Sequence, residues 1–291
     1  MAEFVRLVDY FERWKGDLLS GRKPELYPLA DAASPLSTLE LGPGRVWVIG
    51  GSPGAGKTAF CMQLIVDALR LTPSLNALVC NVEMPVTKLL ERQLARLSGI
   101  PLSVIQRREF RDIHRERLDV GLDALQRLGP QLAFCQPPYT LANIAESADA
   151  LNAEIIAVDY IQRIRTTDNA EADRRTHIDN AMAIIRQWAT DAAVAVIVVA
   201  ALSRQKSTTG STYDGAGLAS FRESSELEYG ADDAFILQQT EPGKVALKHV
   251  KSRYGERRDM VLRFDGSLQR FEPMDTDTAW DDVAAAWEPH E

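Results

Sequence analysis

The fold is decided by Arg45-Val46-Trp47-Val48-Ile49-Gly50-Gly51-Ser52-Pro53-Gly54-Ala55-Gly56-Lys57-Thr58. Its first part is apolar and β-branched, which reads as a buried strand. Glycines then crowd a turn, and a helix opens at Lys57-Thr58 and runs to about Arg70. Gly51 to Thr58 fits G-x-x-x-x-G-K-[ST], a phosphate-binding loop. Glycines let backbone N–H groups curl inward around phosphates, because no Cβ blocks the approach. The helix N-terminus adds partial positive charge. In that frame Lys57 reaches the β- and γ-phosphates, and the Thr58 hydroxyl holds Mg²⁺. The candidate nucleotide cradle is Gly51, Ser52, Pro53, Gly54, Ala55, Gly56, Lys57, Thr58 and Ala59. A glycine turn before an ordinary helix is the bland alternative. The strand before the turn and the apolar face after it (Phe60, Leu64, Ile65, Ala68, Leu69) supply the context that a phosphate loop needs.

Outward from this stretch, 291 residues suffice for one large α/β domain. No run approaches the roughly 18 apolar residues of a membrane span. The N-terminus, Met1-Ala2-Glu3-Phe4, lacks the basic and apolar regions of a secretory signal. Cys61, Cys80 and Cys135 are few and scattered through apolar patterns, as in a cytoplasmic protein with reduced thiols. The four histidines show no zinc spacing. The net charge of −8 argues against a surface that coats nucleic acid, but leaves room for one basic channel. Six of the acids follow Pro273 with no Lys or Arg among them, so the body is near −2.

Four regions emerge: an amphipathic helix within 1–21, a linker at 22–40, the main domain at 41–272 and an acidic tail at 273–291. Phe4, Leu7, Val8, Phe11, Trp14 and Leu18 recur at helical steps. That stripe needs a partner, either its own domain or a neighbouring subunit. Pro24, Pro28 and Pro35 make the linker extended. Strands are expected at Ala77–Glu83, Gln131–Gln136, Glu154–Tyr160 and Ala193–Leu202, with the last central and parallel. Helices are expected from Pro85 to Gly99, over 103–128, from Thr140 to Leu151 and over His177–Thr190. Gln205–Ala219 is small, polar and too long for a simple connection, which marks a functional loop. Asp233–Gln238, Lys244–Val250 and Met260–Phe264 read as closing strands. The pattern is α/β: a mostly parallel central sheet flanked by helices, with an antiparallel C-terminal extension.

Hydrolysis of a bound triphosphate needs a carboxylate near Mg²⁺, a group to orient water and cations for developing charge. Asp159 ends the strand Ile155-Ile156-Ala157-Val158 and suits the metal. Glu83 ends the strand Leu78-Val79-Cys80-Asn81-Val82 and suits the water, since open α/β sheets place ligands at strand C-terminal ends.

Taken together, the phosphate loop, Asn81-Val82-Glu83-Met84, Val158-Asp159-Tyr160-Ile161-Gln162, Phe221 to Asp232 and Lys248 to Gly255 resemble the ATPase domain of the DnaB family of replicative DNA helicases. The resemblance covers about residues 40–271. It implies a RecA-like P-loop NTPase fold, a six-membered ring and ATP with Mg²⁺ bound between subunits. It implies that Glu83 is the catalytic acid and that Arg92, nine residues on, belongs to the nucleotide site. It implies that Lys251 and Arg253 reach the next subunit's γ-phosphate; at i and i+2 of a strand they share a face, and a trans arginine accelerates phosphoryl transfer. It also implies that Arg204, Arg222, Glu223 and Ser225 lie along a single DNA strand threading the ring, with Lys206 adding non-specific contacts.

Two departures stand out. Ala201 occupies a position where many members carry Gln, a γ-phosphate sensor, so coupling to movement is open. With only about 40 residues before the ATPase region, the family's N-terminal collar is expected to be missing, and the helix at 3–20 resembles the linker helix that docks on an adjacent subunit. Trp280 and Trp287 in the acidic tail are either a short partner-binding helix, for a loader or another replication protein, or a solvating tail. The expected function is an ATP-driven helicase or translocase on single-stranded DNA. A filament-forming recombinase-like ATPase and a non-unwinding DNA-binding adaptor remain the alternatives.

Overall fold

The computed structural model describes residues 4–165, 174–202 and 225–274, with the side chains of Arg174, Ser225, Glu226 and Glu228 excepted. Nine strands form one sheet in the order β3-β2-β4-β5-β1-β6-β7-β8-β9. The parallel part is β1 (Val46–Gly51), β2 (Ala77–Asn81), β3 (Leu132–Phe134), β4 (Ile155–Asp159), β5 (Ala195–Ala201) and β6 (Asp233–Glu241). The antiparallel extension is β7 (Lys244–Ser252), β8 (Met260–Asp265) and β9 (Arg270–Pro273). The α/β reading therefore holds, and β9 is a strand that the sequence pattern did not suggest.

Successive residues of a strand point to opposite faces, and both faces are dry here. Trp47, Ile49, Ala77 and Val79 pack under α2 (Lys57–Leu71), with Phe60, Leu64 and Ile65. Val46, Val48, Leu78 and Cys80 pack on the other face with α6 (Leu141–Leu151) and α7 (Arg174–Asp191). The side chains of Tyr27, Leu29, Leu36 and Leu39 enter the first of these cores, and Tyr27 bridges to Leu41. The segment read as a linker is thus packed on the domain from Tyr27 onward.

Two expectations are corrected, and one of two readings of α1 is not observed. The helix foreseen over 103–128 is two, α4 (Leu102–Arg107) and α5 (Arg115–Arg127). Arg108 turns left-handed (φ 60°) and stops α4, and the His114 ring accepts from Arg111 N to start the next turn. The second strand ends at Asn81 rather than Glu83, because the Asn81 side-chain oxygen takes the N–H groups of Glu83 (3.0 Å) and Met84 (2.7 Å). That diverts the backbone out of the ladder and into α3 (Val86–Ser98). Finally α1 (Leu7–Leu19) is helical as expected, but none of its residues is buried against the described residues. The reading in which it packs on its own domain is not what is observed.

Candidate functional site

After β1 the chain turns through 52–56 and enters α2 at Lys57. Gly56 is left-handed (φ 85°), and a Cβ there would lie 2.7 Å from the Phe271 ring. Only glycine lets the loop rest on that phenyl group. The Lys57 Nζ donates to the carbonyls of Gly51 (2.9 Å) and Ser52 (3.0 Å), so the loop curls around its ammonium. Burial pulls the Lys57 pKa down; Asp159 and Glu83 oppose the shift.

Asp159 closes β4, and its carboxylate is buried. The Thr58 Oγ1 donates to Asp159 Oδ2 at 2.6 Å, and the Asn81 Nδ2 donates to the same oxygen at 2.7 Å. Burial pushes the Asp159 carboxyl upward; the Thr58 hydroxyl pulls it down, Glu83 adds to the rise, and Lys57 and Asn81 oppose it. The Asp159 Oδ1 takes neither of those two bonds. A hydroxyl and a carboxylate oxygen side by side are hard donors, and they fit Mg²⁺, which binds through a few protein oxygens, waters and phosphates.

Glu83 is exposed on the turn after β2. Arg92, on α3, is partly buried; desolvation lowers its pKa and the Asp159 charge opposes the change. One cavity of about 500 Å³ has Pro53, Gly54, Gly56, Lys57, Thr58, Ala59, Glu83, Arg92 and Asp159 on its walls. The sequence-predicted cradle, acids and α3 arginine thus converge on one space. Gly51 and Ala55 are buried behind it, and Ser52 supports the lysine.

Sequence reasoning missed several residues here, Met84 and Tyr160 on the cavity wall among them. Phe264 and Gln269 also line the cavity. They come from β8 and the turn to β9, some 200 residues after the loop, and only the closing hairpin brings them near. Phe264 stacks on Phe271 at 4.4 Å between centroids, leaving a flat aromatic wall suited to a nucleobase. Asn81 is another; its register position opposite Asp159 is the signal, and that is visible only once β2 and β4 are paired. Ala201 lines the cavity too, and the Gln162 amide clamps its peptide, donating to the carbonyl (3.1 Å) and accepting from the N–H (3.3 Å).

Lys251 and Arg253 lie elsewhere. β7 runs past its pairing with β8, and its end carries Lys251, with Arg253 one residue beyond the strand. Lys251 Nζ donates to Ala231 O (2.7 Å) and Tyr229 O (3.2 Å). Arg253 donates to Tyr229 O (3.1 Å) and Asp232 Oδ1 (2.8 Å). Both side chains therefore reach the same end of α8 (Ser225–Gly230). Asp232 is fully buried and also accepts from Arg186 and from Val46 N (2.9 Å). Of the residues expected to meet DNA, Arg204, Lys206, Arg222 and Glu223 lie outside the described residues, as do Trp280 and Trp287; Ser225 begins α8.

A lysine-bearing glycine loop at one strand end, with an acid at the end of another strand of a parallel sheet, is the layout of a P-loop nucleotide-binding domain of the RecA type. This chain is of that class. The family described as DnaB-like helicase C-terminal domain matches residues 37–273, and the chain belongs to it. It is 25% identical over 251 residues to the replicative DNA helicase DnaB of Buchnera aphidicola, covering 81% of this chain and 52% of the relative. It is 23% identical over 209 residues to that of Mycoplasma genitalium, covering 69% and 44%. The chain thus spans about half the length of the curated relatives it matches. Among solved structures, one ATPase domain superposes with a TM-score of 0.77 at 17% identity, over 94% of this chain and 100% of that one. A DnaB-like replicative helicase described with its primase interactions gives 0.76 at 17% identity, over 94% and 68%. Among the described residues no helix is long and apolar enough to cross a membrane.

Proposed function

We propose that the chain is an ATP-driven motor on single-stranded DNA that works as a ring of six copies. The observation that carries this is the cavity shared by Lys57, Thr58, Glu83, Arg92 and Asp159, in a member of the DnaB-like family. On nucleotide binding, the Lys57 ammonium exchanges its loop carbonyls for β- and γ-phosphate oxygens. Thr58 and Asp159 hold Mg²⁺, which when bound neutralises phosphate charge. Glu83 takes the proton of the water that attacks the γ-phosphorus, as the bond to the β–γ bridging oxygen breaks and ADP leaves. Phe264 stacks on the base. Lys251 and Arg253 of one subunit serve the next subunit's γ-phosphate, and the 203–225 segment carries Arg204, Lys206, Arg222, Glu223 and Ser225 to the DNA backbone.

The ring contact has a physical basis in the unpartnered helix and an apolar groove. α1 leaves Leu7, Trp14 and Leu18 exposed, and Phe4 just before it is exposed too. Leu90, Leu94, Ile105, Leu118, Leu122 and Leu125 line a groove of about 720 Å³ among α3, α4 and α5. The helix of one copy lies in the groove of its neighbour.

DNA-stimulated ATPase turnover tests the chemistry. Glu83→Gln should lower it by about 10²-fold or more, the scale of a lost general base; unchanged turnover removes Glu83 from the role. One observation favours a second reading, an ATPase adaptor that does not unwind: at Ala201 only a methyl group meets the cavity, so no side chain there reports on the γ-phosphate. Strand displacement on a forked substrate by the Glu83-intact protein separates the two.

A further inference from the structure

The cavity has two acids with different tasks, one closing β4 and one on the turn after β2, and one side chain ties the two together. β2 and β4 pair in parallel, with Asn81 directly opposite Asp159. Residues in register on adjacent strands point to the same face, so the Asn81 amide and the Asp159 carboxylate meet side by side. The contact is 2.7 Å, from Asn81 Nδ2 to Asp159 Oδ2. The other end of the same amide faces the opposite way along the chain. Asn81 Oδ1 accepts from Glu83 N at 3.0 Å and from Met84 N at 2.7 Å. Asn81 is only 6% exposed, so these bonds are sheltered from water and hold strongly.

We infer that Asn81 is a positioning residue for hydrolysis, fixing the turn that bears Glu83 to the carboxylate of Asp159. This rests on the roles given to Glu83 and Asp159 above. The geometry has two consequences. Thr58 and Asn81 both donate to Asp159 Oδ2, which sets that carboxylate's rotation and reserves Oδ1 for the metal side. The planar amide then transmits that setting to the backbone of residues 83 and 84. Glu83 is itself exposed, and the last backbone bond to β4 before it runs from Val82 N to Asp159 O at 2.9 Å, since β2 stops at Asn81. Beyond that bond, the turn's side-chain tie to the metal-binding acid is the Asn81 amide. Only asparagine supplies a donor and an acceptor at this reach: aspartate keeps the acceptor and loses the donor, and alanine loses both. Placing a water-orienting group to within a fraction of an ångström matters, because a displacement of about 1 Å can cost roughly 10²-fold in rate.

The test uses the full chain with DNA, comparing Asn81→Ala, Asn81→Asp and Glu83→Gln with the parent for turnover number and for affinity toward a fluorescent Mg-ATP analogue. Asn81→Ala should lower the turnover number at least tenfold while nucleotide affinity, set by the phosphate loop, stays within threefold. Asn81→Asp should also fall at least tenfold, because the acceptor alone does not join the two acids. The inference is overturned if either variant keeps turnover within twofold of the parent, or if affinity falls in step with rate. If Glu83→Gln keeps full turnover, the role of Glu83 itself is wrong, whatever Asn81 does. If Glu83→Gln is inactive and Asn81→Ala is not, only the positioning role is lost.

Discussion

Side chains in this protein carry charge where burial opposes it, and the sign of each shift says what pH does. Lys248 on β7 is half-buried, and desolvation pulls its pKa down to about 8, with Asp259 opposing. From pH 8 to about 10 the unfolded chain keeps a proton on Lys248 that the folded chain has released. Folding therefore becomes more favourable as pH rises through that interval. Urea denaturation at pH 7.5 and 9.5 should show the rise, and Lys248→Met should flatten it; an equal rise in both proteins would assign it elsewhere. Lys57, Thr58, Asp159 and Arg92 were legible because a local pattern or a family motif names them. Asn81, Phe264 and Gln269 were not. Their significance comes from strand pairing and from a hairpin at the far end of the chain, and neither leaves a mark at short range.

Among elements, α1 and the α3–α5 groove are the pair with the clearest unmet need. An amphipathic helix with no buried residue gives up the stabilisation of roughly 25 cal/mol per Å² that its apolar face would gain under cover. Phe11 and Trp14 sit 5.7 Å apart between ring centroids and form the centre of that face. Trp14→Asp should dissociate the proposed ring, measured as particle mass by light scattering. The isolated subunit's melting temperature should stay within about 2 °C, because exposed substitutions change stability little. A large fall in melting temperature would place the helix in the protomer's own core. The stripe itself was plain in the sequence, as was the parallel sheet. The split between α4 and α5 was not, since residues 108–114 between them are charged like α5 and hold no glycine or proline to mark the break, which begins at the left-handed Arg108. The early end of β2 was hidden for a similar reason: Val82 continues the apolar pattern, and the Asn81 side chain diverts the backbone.

At the scale of the whole molecule, one copy holds the phosphate loop and the basic pair at separate places. Lys57→Ala keeps Lys251 and Arg253 but loses its own cradle; Arg253→Ala keeps the cradle but loses the arginine of the proposed lent pair. Each should be inactive alone as a DNA-stimulated ATPase. Mixed and reassembled, they should recover a substantial fraction of parental turnover, because some junctions then pair an intact cradle with an intact arginine. No recovery on mixing would confine catalysis to one copy.

The way Arg253 is moored bears on how such lending could happen at all. Asp232, wholly enclosed, is gripped by Arg186 and the amide of Val46 as well as by Arg253. If the Arg253 guanidinium swings away, two of those grips stay, and the enclosed carboxylate never stands alone. Under the proposed trans role, the swing exchanges one anionic host for another and leaves Asp232 its two remaining donors, so the arm's own subunit stays folded.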